Sequence, residues 1–261
     1  MGLIRTCLER LSRRMAFWRR LPEPFSFVRV LVTPDASLSH FRPGANWCDP
    51  ELIAVVSRFV KPGDVVWDVG ANVGVFGAAA AARSGPAGRV LCVEPDLALV
   101  RLIRKTSGRL PAACAKLETL AAAVADAAGI AEFHIAERGR ASNGLAKFGD
   151  RSQTGGVRER QLVPVVSLDD LLKVSAAPAL LKIDVEGAEA VIFDGARRVL
   201  DEARPIIYVE VGEQNAEKVT RQLHAASYDL FDPKKPLDGQ AQLPACIWNT
   251  LAIPRKPDEV K

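Results

Sequence analysis

Apolar positions along this chain follow two rhythms. Short, partly β-branched apolar runs at Val65–Val69, Arg89–Val93, Leu180–Ile183 and Ile206–Val211 read as strands buried on both faces. Longer stretches between them repeat with helical spacing. One helix starts at Asp49-Pro50-Glu51, an acid cap followed by proline at the first helical position, and runs to about Val60. An alanine-rich helix is expected from Val75 to Arg83. A crossover helix begins at Val185, with Ala188, Val191, Ile192, Ala196 and Val199 on one face, and a further helix covers 215–226. Weaker patterns predict a strand over 117–124, a hairpin through Asp126–Gly129 into Ile130–Ile135, a strand at Val163–Val166, a short helix at Leu168–Leu172 and closing strands at 228–232 and 247–253. Strands alternating with helices predict an α/β domain with a doubly wound, mostly parallel sheet.

The ends and one internal stretch depart from this rhythm. Ile4, Leu8, Leu11, Met15 and Trp18 fall on one helical face amid arginines. Residues 1–40 are therefore expected to form a basic helix and linker, and 41–261 the main domain. The helix is expected to cover the core or a partner. An anionic membrane surface, touched weakly through residues 1–20, is the sharper alternative. Residues 136–160 are polar and glycine-rich and predict a long loop, either a solvated excursion or a lid over substrate.

Net charge alters the expected partners. The chain carries +4, but residues 1–20 hold six arginines against Glu9, a net of +5, so the remainder is −1. A basic face for nucleic acid is not expected on the main domain. The cysteines, five and scattered, have no C-x-x-C pair, which fits a reducing compartment and no zinc site. No signal-peptide core or membrane-length apolar run is read, so a cytoplasmic location is expected.

Candidate chemistry gathers at strand ends. Asp68, Glu94, Asp184 and Glu210 each close a parallel-strand pattern. Ligands of open α/β sheets bind outside the carboxyl ends of the strands, so these acids are expected to share one crevice. The first strand runs into Gly70-Ala71-Asn72-Val73-Gly74. Gly70 admits a close ligand, and Asn72 tolerates left-handed backbone. Asp68 would repel a pyrophosphate and attract an ammonium and a sulfonium, which favours S-adenosylmethionine over a dinucleotide. Glu94, a little over twenty residues past the turn, is where a carboxylate accepts from ribose hydroxyls.

In order, Asp68–Gly74, Val93-Glu94-Pro95, Ser167–Leu172, Lys182–Glu189, Arg204–Glu210 and Asn249–Ala252 resemble the FkbM family of S-adenosylmethionine-dependent methyltransferases. The resemblance spans roughly residues 45–255 and is carried most specifically by Lys182–Glu189. Trp67, where an aliphatic residue is usual, is a small departure. The resemblance implies a Rossmann-like class I methyltransferase fold with an antiparallel closing strand. It implies that Asp68, Gly70 and Asn72 line the amino-acid and sulfonium end of the cofactor and that Glu94 takes the ribose. Ala123 and Val124 would lie near adenine, and Asp184 and Glu186 would face the transferred methyl. It also implies O-methylation of a hydroxyl on a sugar, polyketide or related metabolite, so the partner is a small molecule or glycan.

An alcohol nucleophile must lose its proton. Asp184, Glu186 and Glu210 fit either a carboxylate base or a magnesium-holding set of oxygen ligands. Among the histidines, His40 is the strongest rival base; His134 falls on a strand and His224 on an outer helix. Two other functions remain at this point, an NAD-dependent oxidoreductase and a non-catalytic member that binds cofactor or partner. Asp68, and Asn72 in place of a second glycine, disfavour the first. The complete acid set disfavours the second.

Overall fold

The computed structural model describes residues 13, 15–137, 139–147 and 156–255. It opens with an antiparallel hairpin, β1 (Phe17–Arg20) and β2 (Arg29–Val32). Trp18 is thus in a strand and not at the end of the expected N-terminal helix, while Ile4, Leu8 and Leu11 lie outside the described residues. Period-2 packing decides this, because Val30 and Val32 of the partner strand are fully buried. Residues 21–36, expected as linker, send Leu21, Phe25, Val28, Val30, Val32 and Ala36 into the main core.

The helix α1 (Pro50–Phe59) starts as its sequence signals, with Asp49 accepting from the Glu51 amide at 2.8 Å. Next come β3 (Val65–Val69), α2 (Val75–Ser84), β4 (Arg89–Val93), α3 (Leu97–Ser107) and β5 (Lys116–Leu120). Helix α3 was not among the expected elements. Its signals are Asp96, which caps the Ala98 amide at 2.9 Å, and the buried stripe Leu99, Val100 and Ile103.

A second sheet follows, built from β6 (Ala123–Val124), β7 (Gly129–Ala136), β8 (Gly144–Leu145) and β9 (Val157–Val166), in the order β6-β9-β7-β8. Three expectations change here. The single strand over 117–124 divides between two sheets at Leu120. The segment after Gly129 pairs antiparallel with β9 and not with the strand before it. Part of the expected polar loop is strand: β8 and the start of β9 lie within 136–160, while 148–155 fall outside the described residues. The strands expected at Ile130–Ile135 and Val163–Val166 are present within β7 and β9, whereas β8 and the start of β9 were not expected, because β8 is two residues long and Arg158, Glu159, Arg160 and Gln161 leave no apolar alternation. Phe133, Ile135, Leu145, Val163 and Val165 face a small core with Ala123 and Ala125.

The chain returns through α4 (Leu168–Leu171), capped reciprocally by Ser167 and Asp170, to β10 (Leu180–Ile183). The helix expected from Val185 begins four residues later, as α5 (Glu189–Asp194), and a π-helical turn at Val199–Ala203 follows. Then come β11 (Ile206–Glu210), α6 (Glu213–Ala225), β12 (Tyr228–Phe231) and β13 (Asn249–Pro254).

The main sheet has the order β12-β13-β11-β10-β3-β4-β5. Strands β11, β10, β3, β4 and β5 are mutually parallel, and β13 runs antiparallel to both its neighbours. Each parallel strand feeds one core per face. On β3, Val66 packs with the hairpin, α1 and α2, whereas Trp67 and Val69 pack with α5 and α6. The chain leaves β3 towards β4 on one side and later fills β10 on the other. Strand order therefore reverses between β3 and β10, and the crevice falls there.

Candidate functional site

Strand order arranges the site. Along the carboxyl edge of the sheet lie, in strand order, Glu210 at the end of β11, Asp184 after β10, Gly70 after β3, Glu94 after β4 and Ala122 after β5, and all five line one cavity of about 230 Å³. Ala123, Val124, Asn72 and Glu186 share its wall. One end is apolar, with Pro95, Leu99, Ala122, Phe133 and Leu145. The other is acidic, with Asp184, Glu186 and Glu210.

The turn after β3 is held open by backbone constraint. Gly70 has φ +72°, and a Cβ there would strike the Asp184 carbonyl. Asn72 adopts the left-handed conformation anticipated for it, φ +53°. The amides of Gly70 and Ala71 donate to the Val93 carbonyl at 3.0 and 3.2 Å. The Asn72 amide donates to Glu94 Oε2 at 2.8 Å, and the Asp96 amide to Oε1 at 2.9 Å. Each Glu94 oxygen keeps a further lone pair for a ligand. Burial pushes the Glu94 carboxyl up to about 8. Asn72 lines this wall, and its Oδ1 is buried with no hydrogen-bond partner among the described residues.

Asp68 does not join the cavity wall. It is fully buried beneath the turn, where Oδ2 accepts from the Gly77 amide at 2.9 Å and Oδ1 pairs with Lys182 Nζ at 3.1 Å. A Cβ on Gly77 would collide with Cys92 Sγ, so this glycine lets α2 approach the acid. Lys182 also meets Asp184 Oδ2 at 3.2 Å and the Gly70 carbonyl at 3.0 Å. Burial pulls the lysine pKa down, but the carboxylates of Asp184 and Asp68 outweigh it and hold the ammonium charged. Asp68, expected on the wall of the crevice, thus lies beneath it and ties the turn after β3 to Lys182 and α2. Its chain position was legible, but its depth followed from the pairing of β3 with β10.

The acids at the other end differ among themselves. Glu210 is pushed up to about 7, first by burial, then by the Asp184 carboxylate. Glu186 is exposed on the rim. Glu189 is buried and accepts from the Gly187 amide at 3.0 Å and from Asn215, so it ties the turn after β10 to α6. Asp184 caps no helix, because α5 begins only at Glu189. Among the described residues no three His, Cys, Asp or Glu side chains are placed to share a metal ion. The magnesium reading therefore lacks a ligand set among the described residues.

His40 is removed as a base. It is buried against Trp47, bonded through Nδ1 to the Thr33 carbonyl at 2.7 Å, and absent from the cavity wall. His134 pairs with Glu132 at 2.5 Å. His224 is exposed on α6. Sequence reasoning missed Lys182, whose signal was a lone cation amid Leu180, Leu181 and Ile183. It did not single out Arg140 and Asn143 of the turn between β7 and β8, or Phe133 and Leu145 of the second sheet; the only signal was the polar 136–160 stretch read as a possible lid, because long-range pairing brings the individual side chains to the wall.

A doubly wound sheet with a cleft at its switch point, apolar at one end and acidic at the other, defines a Rossmann-like α/β protein. The Methyltransferase FkbM domain family matches residues 68–232, and the chain belongs to that family, with the Rossmann-like class I methyltransferase fold. No curated protein matches the chain. Among solved structures it is similar to the FkbM methyltransferase of Methylobacillus flagellatus KT, at 16% identity and TM-score 0.46 over 80% of this chain and 51% of that one. It is also similar to Aeropyrum pernix fibrillarin in complex with natively bound S-adenosyl-L-methionine, at 13% identity and TM-score 0.44 over 78% and 74% of the two chains. A third is the magnesium protoporphyrin IX methyltransferase of Synechocystis PCC 6803 with bound cofactor, at 9% identity and TM-score 0.44 over 79% and 77%. The chain spans about half, 51%, of the length of the first of these. Among the described residues no helix is long and apolar enough to cross a membrane.

Proposed function

We propose that this protein transfers the methyl group of S-adenosylmethionine to a hydroxyl of a small molecule, on a sugar, polyketide or related metabolite. The observation that carries the reading is the order of chemistry along the strand ends. An apolar slot suits an adenine ring, Glu94 suits ribose hydroxyls, and the Asn72 acceptor and nearby acids suit an ammonium and a sulfonium. Family membership supports the same reaction class.

When bound, the cofactor supplies a carbon already activated by its sulfonium. The residues of this chain then have three tasks. Glu94, Asn72 and the Gly70 turn would hold the cofactor, with Ala123 and Val124 beside adenine. Asp184, kept in place by Lys182, would orient the acceptor hydroxyl. Glu210, with its carboxyl near neutrality, would accept the hydroxyl proton, and Glu186 at the rim would add negative charge to the acceptor entrance. Alignment of the acceptor can supply several kcal/mol of barrier lowering.

Calorimetric titration with S-adenosylmethionine, S-adenosylhomocysteine and NAD tests the reading. Binding of the first two and not of NAD is expected. NAD binding without S-adenosylmethionine binding would establish the oxidoreductase alternative.

A further inference from the structure

A second buried ionic cluster lies outside the acid row just described. Asp35 follows β2, is 4% exposed, and precedes the family-matched region. Its Oδ2 pairs with Arg140 Nε at 2.6 Å, and Arg158 donates to Oδ1 and Oδ2 at 3.0 and 3.1 Å. The Asp35 carbonyl accepts from the Arg140 amide at 2.7 Å. The other side of the Arg140 guanidinium meets Asp96, which is fully buried. Asp96 Oδ2 also accepts from Asn143 Nδ2 at 2.9 Å, and Asn143 Oδ1 accepts from the Ala136 amide at 2.9 Å. Four parts of the chain meet here: the N-terminal segment, the end of β4, the 140–143 turn and β9.

A buried ionic cluster is a weak source of stability, since desolvation offsets most of its Coulombic gain. Its position suggests another use. Arg140, Asn143, Gly144 and Leu145 form the cavity wall that faces Glu94 and Pro95. Asp96, the second anchor of Arg140, is tied through its amide to Glu94 itself at 2.9 Å. The cluster therefore sets the distance between the wall contributed by the second sheet and the strand bearing the proposed ribose acceptor.

We propose that Asp35 is a positioning residue for the cofactor: it aims Arg140, and with it the 140–145 wall, at the adenosine part of S-adenosylmethionine. This rests on the methyltransferase reading and extends it. Arg140 touches the ligand, and Asp35 acts through Arg140. The cofactor site is then completed from a segment upstream of the family-matched region.

The test uses the full chain and calorimetry, with S-adenosylmethionine and S-adenosylhomocysteine as probes. Asp35→Asn keeps shape and removes the charge that holds Arg140. It should raise both Kd values about tenfold, the scale of one charge-assisted hydrogen bond, at a temperature where circular dichroism shows the variant folded. Arg140→Gln should weaken binding at least as much, and the double variant no further than Arg140→Gln alone, because the two act as one unit. A purely structural strut would lower the melting temperature and leave Kd unchanged; parental affinity in folded Asp35→Asn, or losses that multiply in the double variant, overturns the proposal. If Asp35→Asn fails to fold, Asp35→Glu retains the charge and displaces the carboxylate by one methylene. A folded Asp35→Glu should then bind several-fold more weakly, and parental affinity overturns the proposal. A parent chain that binds neither probe overturns the cofactor reading together with this one, whereas a binding parent with unaffected variants overturns this one alone.

Discussion

Lys182 reaches from β10 to Asp68 on the adjacent β3, Nζ to Oδ1 3.1 Å, with both side chains excluded from solvent. The pair spans the point at which strand order reverses, and the same ammonium also reaches the Gly70 carbonyl and Asp184. One buried cation thus joins the turn after β3 to the acidic end of the cavity.

Removal of one partner strands the other without water. Lys182→Met should destabilise the fold by about 3–5 kcal/mol, the usual cost of leaving a buried charge unpaired. Asp68→Asn should likewise lose stability before cofactor affinity, since Asp68 is not on the cavity wall. Chemical denaturation of both variants and of the double variant checks this. Equal stability of Lys182→Met and parent would show the pair to be dispensable.

Glu94 should make cofactor binding pH-dependent. Burial holds its carboxyl at about 8 in the folded protein against an ordinary 4.5. Ribose hydroxyls and a cationic ligand favour its ionised form, so binding expels a proton, and affinity should rise from pH 6 to pH 9. Stability runs the other way. A group with a raised folded pKa contributes fully below its unfolded value and loses that contribution as pH climbs through the folded one, so the ligand-free protein should weaken between about 4.5 and 8. Glu94→Gln should flatten both dependences, measured by calorimetry and by thermal melting.

Proton removal should separate from cofactor binding. Asp184→Asn and Glu210→Gln should each cut turnover by roughly a hundredfold or more and leave affinity for S-adenosylmethionine within a few-fold. With Glu210 at about 7, the parent's rate should rise with pH through neutrality, and Glu210→Gln should lose that limb. Near-parental turnover in folded Glu210→Gln would assign the proton to another group.

Truncation should discriminate between two parts of the N-terminal region. Deleting residues 1–12 should leave cofactor affinity unchanged. Deleting residues 1–36 removes Val28, Val30 and Val32, all fully buried. At about 1.5–3 kcal/mol for each buried side chain, that loss rivals the net stability of a domain. The longer deletion should give no cooperative thermal transition by circular dichroism.

Much of this protein was legible before its structure. The strand-turn-helix at Val65–Gly74, the acids Glu94, Asp184 and Glu210, and the alternation that makes a parallel sheet are local patterns. Each depends on residues near one another in the chain: a buried strand is a run of apolar residues, and a turn is a glycine or asparagine that accepts positive φ. Since parallel strands present their carboxyl ends on one edge, the convergence of those acids followed from pattern alone. Tertiary structure decided the rest. Whether Asp68 faces ligand or lies buried depends on β10 delivering Lys182 across from it. Whether residues 17–36 form a helix and linker or a hairpin depends on a core supplied by α1 and α2. Whether Arg140 lines a cavity depends on Asp35 and Asp96, partners 105 and 44 positions away. Contacts of that sequence separation leave no period in the chain, because their free energy resides in surfaces that meet only after the sheet has closed.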